Sequence, residues 1–171
     1  FPGVPVVEAD FLDLDLEKGL PYPPPYTFAG NLPYNAASPI LLKLVRHWPL
    51  VRSVYFMVQR EVGERLVASP CNKDYSFLTV AVNTFGPVKR LFLLPPGAFR
   101  PPPQVDSAVI HLRVRRAPPV PVEDPARLRA VVRAAFGQRR KSLANALASG
   151  LGLAVERARA MCDTAGIDAG R

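Results

Sequence analysis

The sequence has 171 residues, of which 49% are hydrophobic and 21% are charged, and its formal net charge is +8. This balance is typical of a globular protein with a buried core and excludes an intrinsically disordered chain. No stretch of about 18 uncharged apolar residues occurs, so no transmembrane helix is predicted, and the first residues do not have the pattern of a signal peptide. The two cysteines, Cys71 and Cys162, are isolated and lack metal-ligand spacing. We therefore expect reduced thiols, a cytoplasmic protein and no metal site.

The excess positive charge is concentrated in one part of the sequence. Nine basic residues lie between Arg113 and Lys141, against two acidic residues, Glu123 and Asp124. A general preference for arginine would explain the residue type but not the clustering. We therefore expect a polyanionic partner for this part of the chain.

The first third of the chain alternates predicted strands and helices. Ser38 followed by Pro39 predicts an N-cap with proline at the first helical position. The strands are predicted from short apolar, β-branched runs, and the helix from apolar residues at helical spacing. In chain order, these elements are a strand at 4–7, a strand at 26–29, a helix through 40–48 and a strand at 51–58.

The remaining two thirds begin with further sheet elements and end in helices. The predicted elements are helices at 61–68 and 77–85, strands at 88–94 and 107–114, and helices at about 125–136, 139–149 and 154–165. Strand–helix alternation followed by two strands predicts an α/β sheet closed by an antiparallel pair. The domains expected are a sheet domain at 1–116, a proline-rich linker at 117–124 and a small basic helical domain at 125–171.

Polar residues follow the first two predicted strands directly. Asp10 comes soon after the strand at 4–7, and the sequence Gly-Asn-Leu-Pro-Tyr at 30–34 follows the strand at 26–29. In open α/β sheets, ligands bind beyond the carboxyl ends of the strands. We therefore expect both segments to belong to one ligand site.

The residues from Asn31 to Tyr34 suit methyl transfer to an amino group conjugated with a ring. The Asn31 side-chain oxygen and the Leu32 main-chain carbonyl are two acceptors for the hydrogens of such an amine. Pro33 restricts the backbone and would hold that carbonyl outward. Tyr34 would stack on the ring that carries the amine. If that ring is a nucleic-acid base such as adenine, the stacking contributes about 1–3 kcal/mol. The alternative is an ordinary turn with one unexplained tyrosine.

Four longer stretches place this motif in a wider pattern. The sequence resembles the bacterial small-subunit (16S) rRNA adenine N6,N6-dimethyltransferases, the KsgA family, over nearly its whole length. The matching stretches, in the family's order, are GNLPYNAASPILLKL (30–44), VQREVGERLVASPCNKDYSFLTV (58–80), PPGAFRPPPQVDSAVIHL (95–112) and AFGQRRKSLANAL (135–147).

The resemblance implies a fold and an activity. The fold is a Rossmann-like methyltransferase sheet, here partial because its N-terminal strands are missing, followed by a small all-α domain. The activity is S-adenosylmethionine-dependent dimethylation of N6 of two adjacent adenosines near the 3′ end of small-subunit rRNA, with a role in small-subunit biogenesis. The implied partner is the immature small ribosomal subunit, and we expect a monomer.

The resemblance also implies a role for individual residues. Asp10 would bind the adenine amino group of S-adenosylmethionine, although a turn or N-cap carboxylate is the alternative. Phe99 would enclose the flipped target base together with Tyr34, and Arg60 would contact RNA unless it is simply a solvated helix start. The candidate catalytic residues are Asn31, Leu32, Pro33, Tyr34 and Phe99. The candidate cofactor-binding residues are Asp10 and Asn31, and the candidate RNA-binding residues are Arg60, Arg139, Arg140 and Lys141.

The sequence departs from the family pattern at both ends. The family's glycine-rich turn for the methionine part of the cofactor would precede Phe1, and its final helix would follow Arg171. We therefore expect this piece alone to bind S-adenosylmethionine weakly or not at all, and to be inactive. Two other functions stay open: a large-subunit rRNA adenine N6-methyltransferase of the antibiotic-resistance type, and a non-catalytic ribosome assembly factor.

Overall fold

A computed structural model describes residues 3–117, 121–138 and 140–170. The chain divides into two compact units, Phe1–Pro119 and Val120–Arg171, and this division falls within the proline-rich segment at 117–124. No helix among the described residues is long and apolar enough to cross a membrane.

The described residues of the first unit form one sheet and three α-helices. Its elements are β1 (Tyr26–Asn31), α1 (Ala37–Arg46), β2 (Val51–Gln59), α2 (Arg60–Val67), α3 (Phe77–Asn83), β3 (Val88–Leu94) and β4 (Ser107–Arg113). The strands lie in the order β1-β2-β4-β3. Strand β1 pairs parallel to β2, whereas β4 pairs antiparallel to both β2 and β3. The prediction of an α/β sheet closed by two antiparallel strands is therefore confirmed.

One face of this sheet forms the core of the unit. Val54, Phe56 and Val58 alternate along β2 and face Leu112, Ile110 and Ala108 of β4 across the ladder, and all six are buried. Buried apolar residues of the three helices pack into the same cluster. Side chains two apart on a strand share a face, so this pairing also fixes the register of β2 and β4.

The predicted strand at 4–7 is wrong. Val4, Val6 and Val7 are 63%, 91% and 54% exposed, and no strand among the described residues pairs with them. Pro5 lies within the run and has no amide proton to donate to a ladder. Without such pairing, β-branched composition alone does not produce a strand.

The predicted cap of α1 is also wrong. The helix begins at Ala37, its N-cap residue is Ala36, and no side chain caps it. Ser38 and Pro39 therefore lie inside the first turn. Proline is tolerated there because the first amides of a helix have no intrahelical partner.

The second unit consists of α4 (Pro125–Phe136), α5 (Leu143–Leu151) and α6 (Val155–Thr164). The Asp124 carboxylate caps α4 by accepting hydrogen bonds from the amides of Ala126 and Arg127, at 2.8 and 3.1 Å. The unit has its own small core, formed by Ala134, Leu147, Ala148, Ala158 and Cys162.

Helix α5 begins four residues later than the predicted start at 139. Ser142 is its N-cap residue, so Arg140 and Lys141 lie in the turn before the helix. Cations inside the first turn would oppose the helix dipole, and the observed start reduces that cost because both residues lie outside the turn.

We predict that Gly86→Ala destabilises the first unit. A Cβ at Gly86 would lie 2.2 Å from the Arg113 carbonyl oxygen, whereas one at Gly97 would meet nothing within 4 Å. The backbone of β4 must shift to relieve the first clash, so we expect the free energy of unfolding to fall by about 1–3 kcal/mol. Urea denaturation measures this change. Gly97→Ala is the matched control and should stay within about 0.5 kcal/mol; equal losses in both variants would contradict the packing described.

Candidate active site

The strand order brings three strand ends to one edge of the sheet. Because β3 is antiparallel to β4, and β4 to β2, the strands β1, β2 and β3 all run in the same direction. Their carboxyl ends therefore share an edge with the start of β4. Ser107, the first residue of β4, is level with Gln59 of β2 and Leu94 of β3.

The turn after β1 is built by main-chain hydrogen bonds. The Leu32 amide still donates to β2, at 3.2 Å, and the Pro33 carbonyl accepts from the amides of Ala36 and Ala37, at 2.9 and 3.1 Å. The turn thus continues directly into α1. Asn31 is exposed, and in the described part of the chain its side chain has no hydrogen-bond partner. The amide is therefore available to a ligand.

Asp10 lies beside this turn. Its Oδ1 accepts a hydrogen bond from the Leu12 amide at 2.8 Å, so Asp10 is indeed a turn carboxylate. Its second oxygen has no protein partner within the described ranges and is free to accept another hydrogen bond. A cavity of about 670 Å³ is lined by residues that include Asp10, Phe11, Leu12, Gly30, Leu32 and Pro33.

Lys43 of α1 attaches the Asp10 segment to the helix. Its Nζ donates to the carbonyls of Phe11 at 2.9 Å and Leu12 at 2.7 Å, and also to that of Leu14. The Phe11 ring meets Phe28 of β1 edge-on, with ring centroids 5.8 Å apart. One wall of the cavity is therefore held to both α1 and β1.

Tyr34 is held by the start of β4. Its hydroxyl lies 3.1 Å from the Ser107 Oγ, and Ser107 is fully buried. Tyr34 itself is half-buried. This hydrogen bond fixes the phenol end of the side chain and leaves the orientation of the ring little freedom.

Phe99 lies in the loop that joins β3 to β4. Residues Pro96–Ala98 form a single 3₁₀ turn, and the Phe99 amide closes it by donating to the Pro96 carbonyl at 3.1 Å. Phe99 is half-buried. No direct ring contact joins Phe99 and Tyr34 within the described residues. The loop starts and ends at the edge where Tyr34 lies, since it connects Leu94 to Ser107.

Arg60 is engaged by two carboxylates. Its guanidinium donates to Glu64 at 2.7 Å and to Asp106 at 3.2 Å. These hydrogen bonds, first that to Glu64 and then that to Asp106, raise the pKa of Arg60 above its ordinary value. The Arg60 amide also donates to the Asp106 carbonyl at 2.9 Å. Arg60 thus connects the start of α2 with the end of the β3–β4 loop, and its side chain remains 50% exposed.

The second unit contains a separate basic cavity. Arg140 and Lys141 are exposed, and together with Ser142 and Asn145 they line a space of about 600 Å³. Arg139, the remaining residue of the predicted RNA-binding set, lies outside the described residues. No acidic side chain is among the residues that line this cavity in the described part of the chain.

Three residues that contribute to the first unit's site were not predicted from the sequence. Lys43 is the charged residue within the otherwise apolar run at 40–45. This unusual position is the sequence signal that could have suggested a role for Lys43. Ser107 is a polar residue at the start of an otherwise apolar strand. Asp106 precedes it and gives no separate signal, because its partner Arg60 is distant in sequence.

These features together define a Rossmann-like methyltransferase fold. Similar solved structures include a dimethyladenosine transferase from Plasmodium falciparum, with a TM-score of 0.68 and 25% identity, covering 95% of this chain and 57% of that one. A second is the 23S rRNA methyltransferase ErmE, with a TM-score of 0.64 and 26% identity, covering 96% of this chain and 64% of that one.

Residues 2–170 match the family model described as ribosomal RNA adenine dimethylase, and the chain belongs to that family. Two relatives are both named ribosomal RNA small subunit methyltransferase A. The protein from Xanthomonas campestris pv. campestris (strain B100) is 50% identical over 125 residues, covering 73% of this chain and 48% of the relative. The protein from Xanthomonas oryzae pv. oryzae (strain PXO99A) is 45% identical over 144 residues, covering 84% and 55%. The chain thus spans about half the length of these curated relatives.

We predict that Tyr34 and Ser107 are energetically coupled. Tyr34→Phe leaves the buried Ser107 hydroxyl without its partner, which should lower the free energy of unfolding by about 1–3 kcal/mol. Adding Ser107→Ala should recover part of this loss, because the unpaired group is then removed. A double-mutant cycle by urea denaturation measures the coupling. Strict additivity of the two single substitutions would show that the hydrogen bond has no energetic role.

Proposed function

We propose that this chain is the target-base and RNA-binding part of an enzyme that dimethylates N6 of two adjacent adenosines near the 3′ end of small-subunit rRNA. S-adenosylmethionine is the proposed methyl donor, and the immature small ribosomal subunit in the cytoplasm is the proposed substrate. The family match supports rRNA adenine methylation, and the names of the relatives favour the small subunit. Membership of the related large-subunit group and a purely non-catalytic assembly role are outcomes of the tests below.

One observation carries the proposal. Asp10 and the Leu32–Pro33 turn line the same cavity. Asn31, whose amide is exposed, is the last residue of β1 and directly precedes that turn. The proposed donor site and the proposed site for the target amine are therefore adjacent along one edge of the sheet. Adjacent, aligned reactants are what a direct methyl transfer requires.

The residues at this cavity fit the adenine end of the cofactor. Asp10 offers one carboxylate oxygen for an exocyclic amino group, and Phe11 and Phe28 provide apolar walls for a ring. S-adenosylmethionine, when bound, supplies an electrophilic methyl group on a positively charged sulfur. A Cβ at Gly30 would meet Leu32 and Phe56 at ordinary contact distances of 3.8 and 3.9 Å, so packing within the protein does not itself require a glycine beside this cavity.

Asn31 and Leu32 act on the target amine. The Asn31 side-chain oxygen and the Leu32 carbonyl accept its two hydrogens, which draws the nitrogen lone pair out of conjugation with the ring. S-adenosylmethionine held beside Asp10 would supply the methyl group to this nitrogen, and one of the two hydrogens held by Asn31 and Leu32 would be released to solvent as a proton. Pro33 holds the Leu32 carbonyl in place because its ring restricts the preceding residue to an extended conformation.

Tyr34 and Phe99 hold the flipped base. Both rings are half-buried, and both lie at the edge formed by the strand ends. A base stacked between them would recover the few kcal/mol that flipping costs. Tyr34 contributes a ring fixed by Ser107, and Phe99 contributes a ring on a proline-rich loop whose unbound freedom is small.

RNA binding outside the pocket relies on basic residues. Arg139, Arg140 and Lys141 are proposed to contact phosphates, and Arg140 and Lys141 line a cavity without acidic neighbours among the described residues. Arg60 is proposed as a weaker contact. The charges of Glu64 and Asp106 oppose its own charge, although half of its side chain stays exposed.

We predict that Asn31→Ala abolishes methylation with little loss of RNA affinity. The test protein is a chimera in which this chain replaces the matching part of the Xanthomonas campestris relative. Loss of the side-chain amide removes one of the two hydrogen-bond acceptors for the target amine. Turnover should therefore fall by about 10²-fold or more. Primer extension on small-subunit and large-subunit rRNA measures the product, and filter binding measures affinity.

The control for this prediction is Asn72→Ala. Asn72 is an exposed asparagine between α2 and α3 whose side chain accepts a hydrogen bond from the Asp74 amide at 2.9 Å. It should leave methylation unchanged. Stops on large-subunit rRNA would reject the proposed substrate. RNA binding without any methylation in the unsubstituted chimera would favour the assembly factor, and methylation by Asn31→Ala at a rate close to that of the unsubstituted chimera would reject the mechanism.

We predict that Arg140→Gln with Lys141→Gln weakens RNA binding and reduces its salt dependence. Each lost phosphate contact should lower the slope of log affinity against log salt by about 0.7–0.9. Titrations of a small-subunit rRNA fragment at several salt concentrations measure the slope. Arg157→Gln with Arg159→Gln removes the same charge from α6 of the same unit and is the matched control. Equal effects of the two pairs would indicate bulk charge rather than a binding site.

A further inference from the structure

Lys43 has no part in the proposed mechanism, yet its ammonium group donates hydrogen bonds to three main-chain carbonyls of one segment. We infer that Lys43 is a positioning residue, which sets the conformation of segment 10–14 and thereby presents Asp10 to the cavity. This inference rests on the proposed function for the role of Asp10 as a cofactor ligand. The role of Lys43 in ordering the segment can be tested separately.

The donors of Lys43 match the acceptors around it. An ammonium group has three N–H donors, and the Lys43 Nζ contacts three carbonyl oxygens, those of Phe11, Leu12 and Leu14. These carbonyls can converge on one atom only when the chain is tightly turned. The ammonium also lies 5.7 Å from the centroid of the Phe11 ring, within the range of a cation–π interaction.

Three amides of the same segment, those of residues 12–14, donate to acceptors within the segment. The Asp10 carbonyl accepts from the amides of Asp13 and Leu14, both at 3.1 Å, and its carboxylate accepts from that of Leu12 at 2.8 Å. These bonds fix the shape of the turn but do not attach it to the rest of the protein. Lys43 attaches it by hydrogen bonds, alongside the contact between Phe11 and Phe28 and the packing of Leu14 against the core.

The position of Lys43 explains why a cation fits there. It lies in the last turn of α1, where the helix dipole favours positive charge. Its neighbours Leu41 and Leu44 are fully buried, so the lysine stem runs beside the core while the ammonium reaches the carbonyls. Charged hydrogen bonds of this kind are stronger than neutral ones.

The test compares Lys43→Met with Lys89→Met in this chain. Both substitutions remove the charge and keep an unbranched side chain, and Lys89 is exposed on β3. Hydrogen–deuterium exchange should speed up by about tenfold at the amides of residues 12–14 in Lys43→Met. It should be unchanged in Lys89→Met, and also at core strand β2 in both variants.

Two further measurements separate positioning from general stability. Lys43→Arg should restore most of the protection, because its guanidinium also carries several donors and always keeps its charge. Adenosine, titrated by NMR into the chimera with the Xanthomonas campestris relative, reports on the cavity. Its dissociation constant should rise by about tenfold when the chimera carries Lys43→Met, as expected for the loss of charged hydrogen bonds. It should stay unchanged in Lys89→Met.

Each result decides one of the two claims. Unchanged exchange at residues 12–14 in Lys43→Met would overturn the inference, as would increased exchange throughout the first unit. Increased local exchange with unaltered adenosine affinity would also overturn it, since the segment would then not present a ligand. If adenosine fails to bind even the unsubstituted chimera, the proposed cofactor site is rejected, and the exchange pattern alone decides whether Lys43 orders the segment.

Discussion

The candidate site depends on the position of β4 between β2 and β3, antiparallel to both. This arrangement brings the start of one strand to the edge where three others end. A purely parallel sheet would place only strand ends there, and its connections would have to supply every remaining contact. Here the first residue of β4, Ser107, is buried at the edge and bonds to Tyr34. A residue of the sheet core thus orients a residue of the site.

Two sets of contacts hold the loops to this edge of the sheet: a hydrogen bond between two hydroxyl groups and a cluster of charged side chains. Tyr34 and Ser107 form a neutral hydrogen bond that is partly buried, so water competes little for it. Arg60, Glu64 and Asp106 form a half-exposed charged cluster, where solvent screening leaves a small net stabilisation. The main-chain bond between Arg60 and Asp106 is not screened in this way. It is therefore the backbone, rather than the ion pair, that secures the end of the β3–β4 loop.

The sequence predicted most of the elements because their patterns are local. Strands β1 to β4 carry apolar, β-branched runs, and helices α1 to α6 carry apolar residues at helical spacing, so each is visible within its own segment. The errors arose where the outcome depended on something outside the segment. Residues 4–7 have strand composition, but Pro5 lacks an amide proton and no described strand pairs with them. Ser38 is a good cap residue, but the Pro33 carbonyl already starts the turn that leads into α1, so the helix begins one residue before Ser38.

The same reasoning explains which site residues the sequence could reveal. Asn31 and Tyr34 are informative because the chemistry proposed for them needs those particular side chains. Lys43 acts on the main-chain carbonyls of Phe11, Leu12 and Leu14, and carbonyls are the same in every residue type. Nothing in residues 11, 12 or 14 therefore indicates that a lysine some thirty positions away binds them. When a side chain binds the backbone, only the residue that supplies the side chain can be recognised in the sequence. Here the only sequence signal is the charged residue within the apolar run at 40–45. Such a contact is therefore recognised only in the three-dimensional structure. The structure likewise shows that Asp10, a turn carboxylate, lines a cavity.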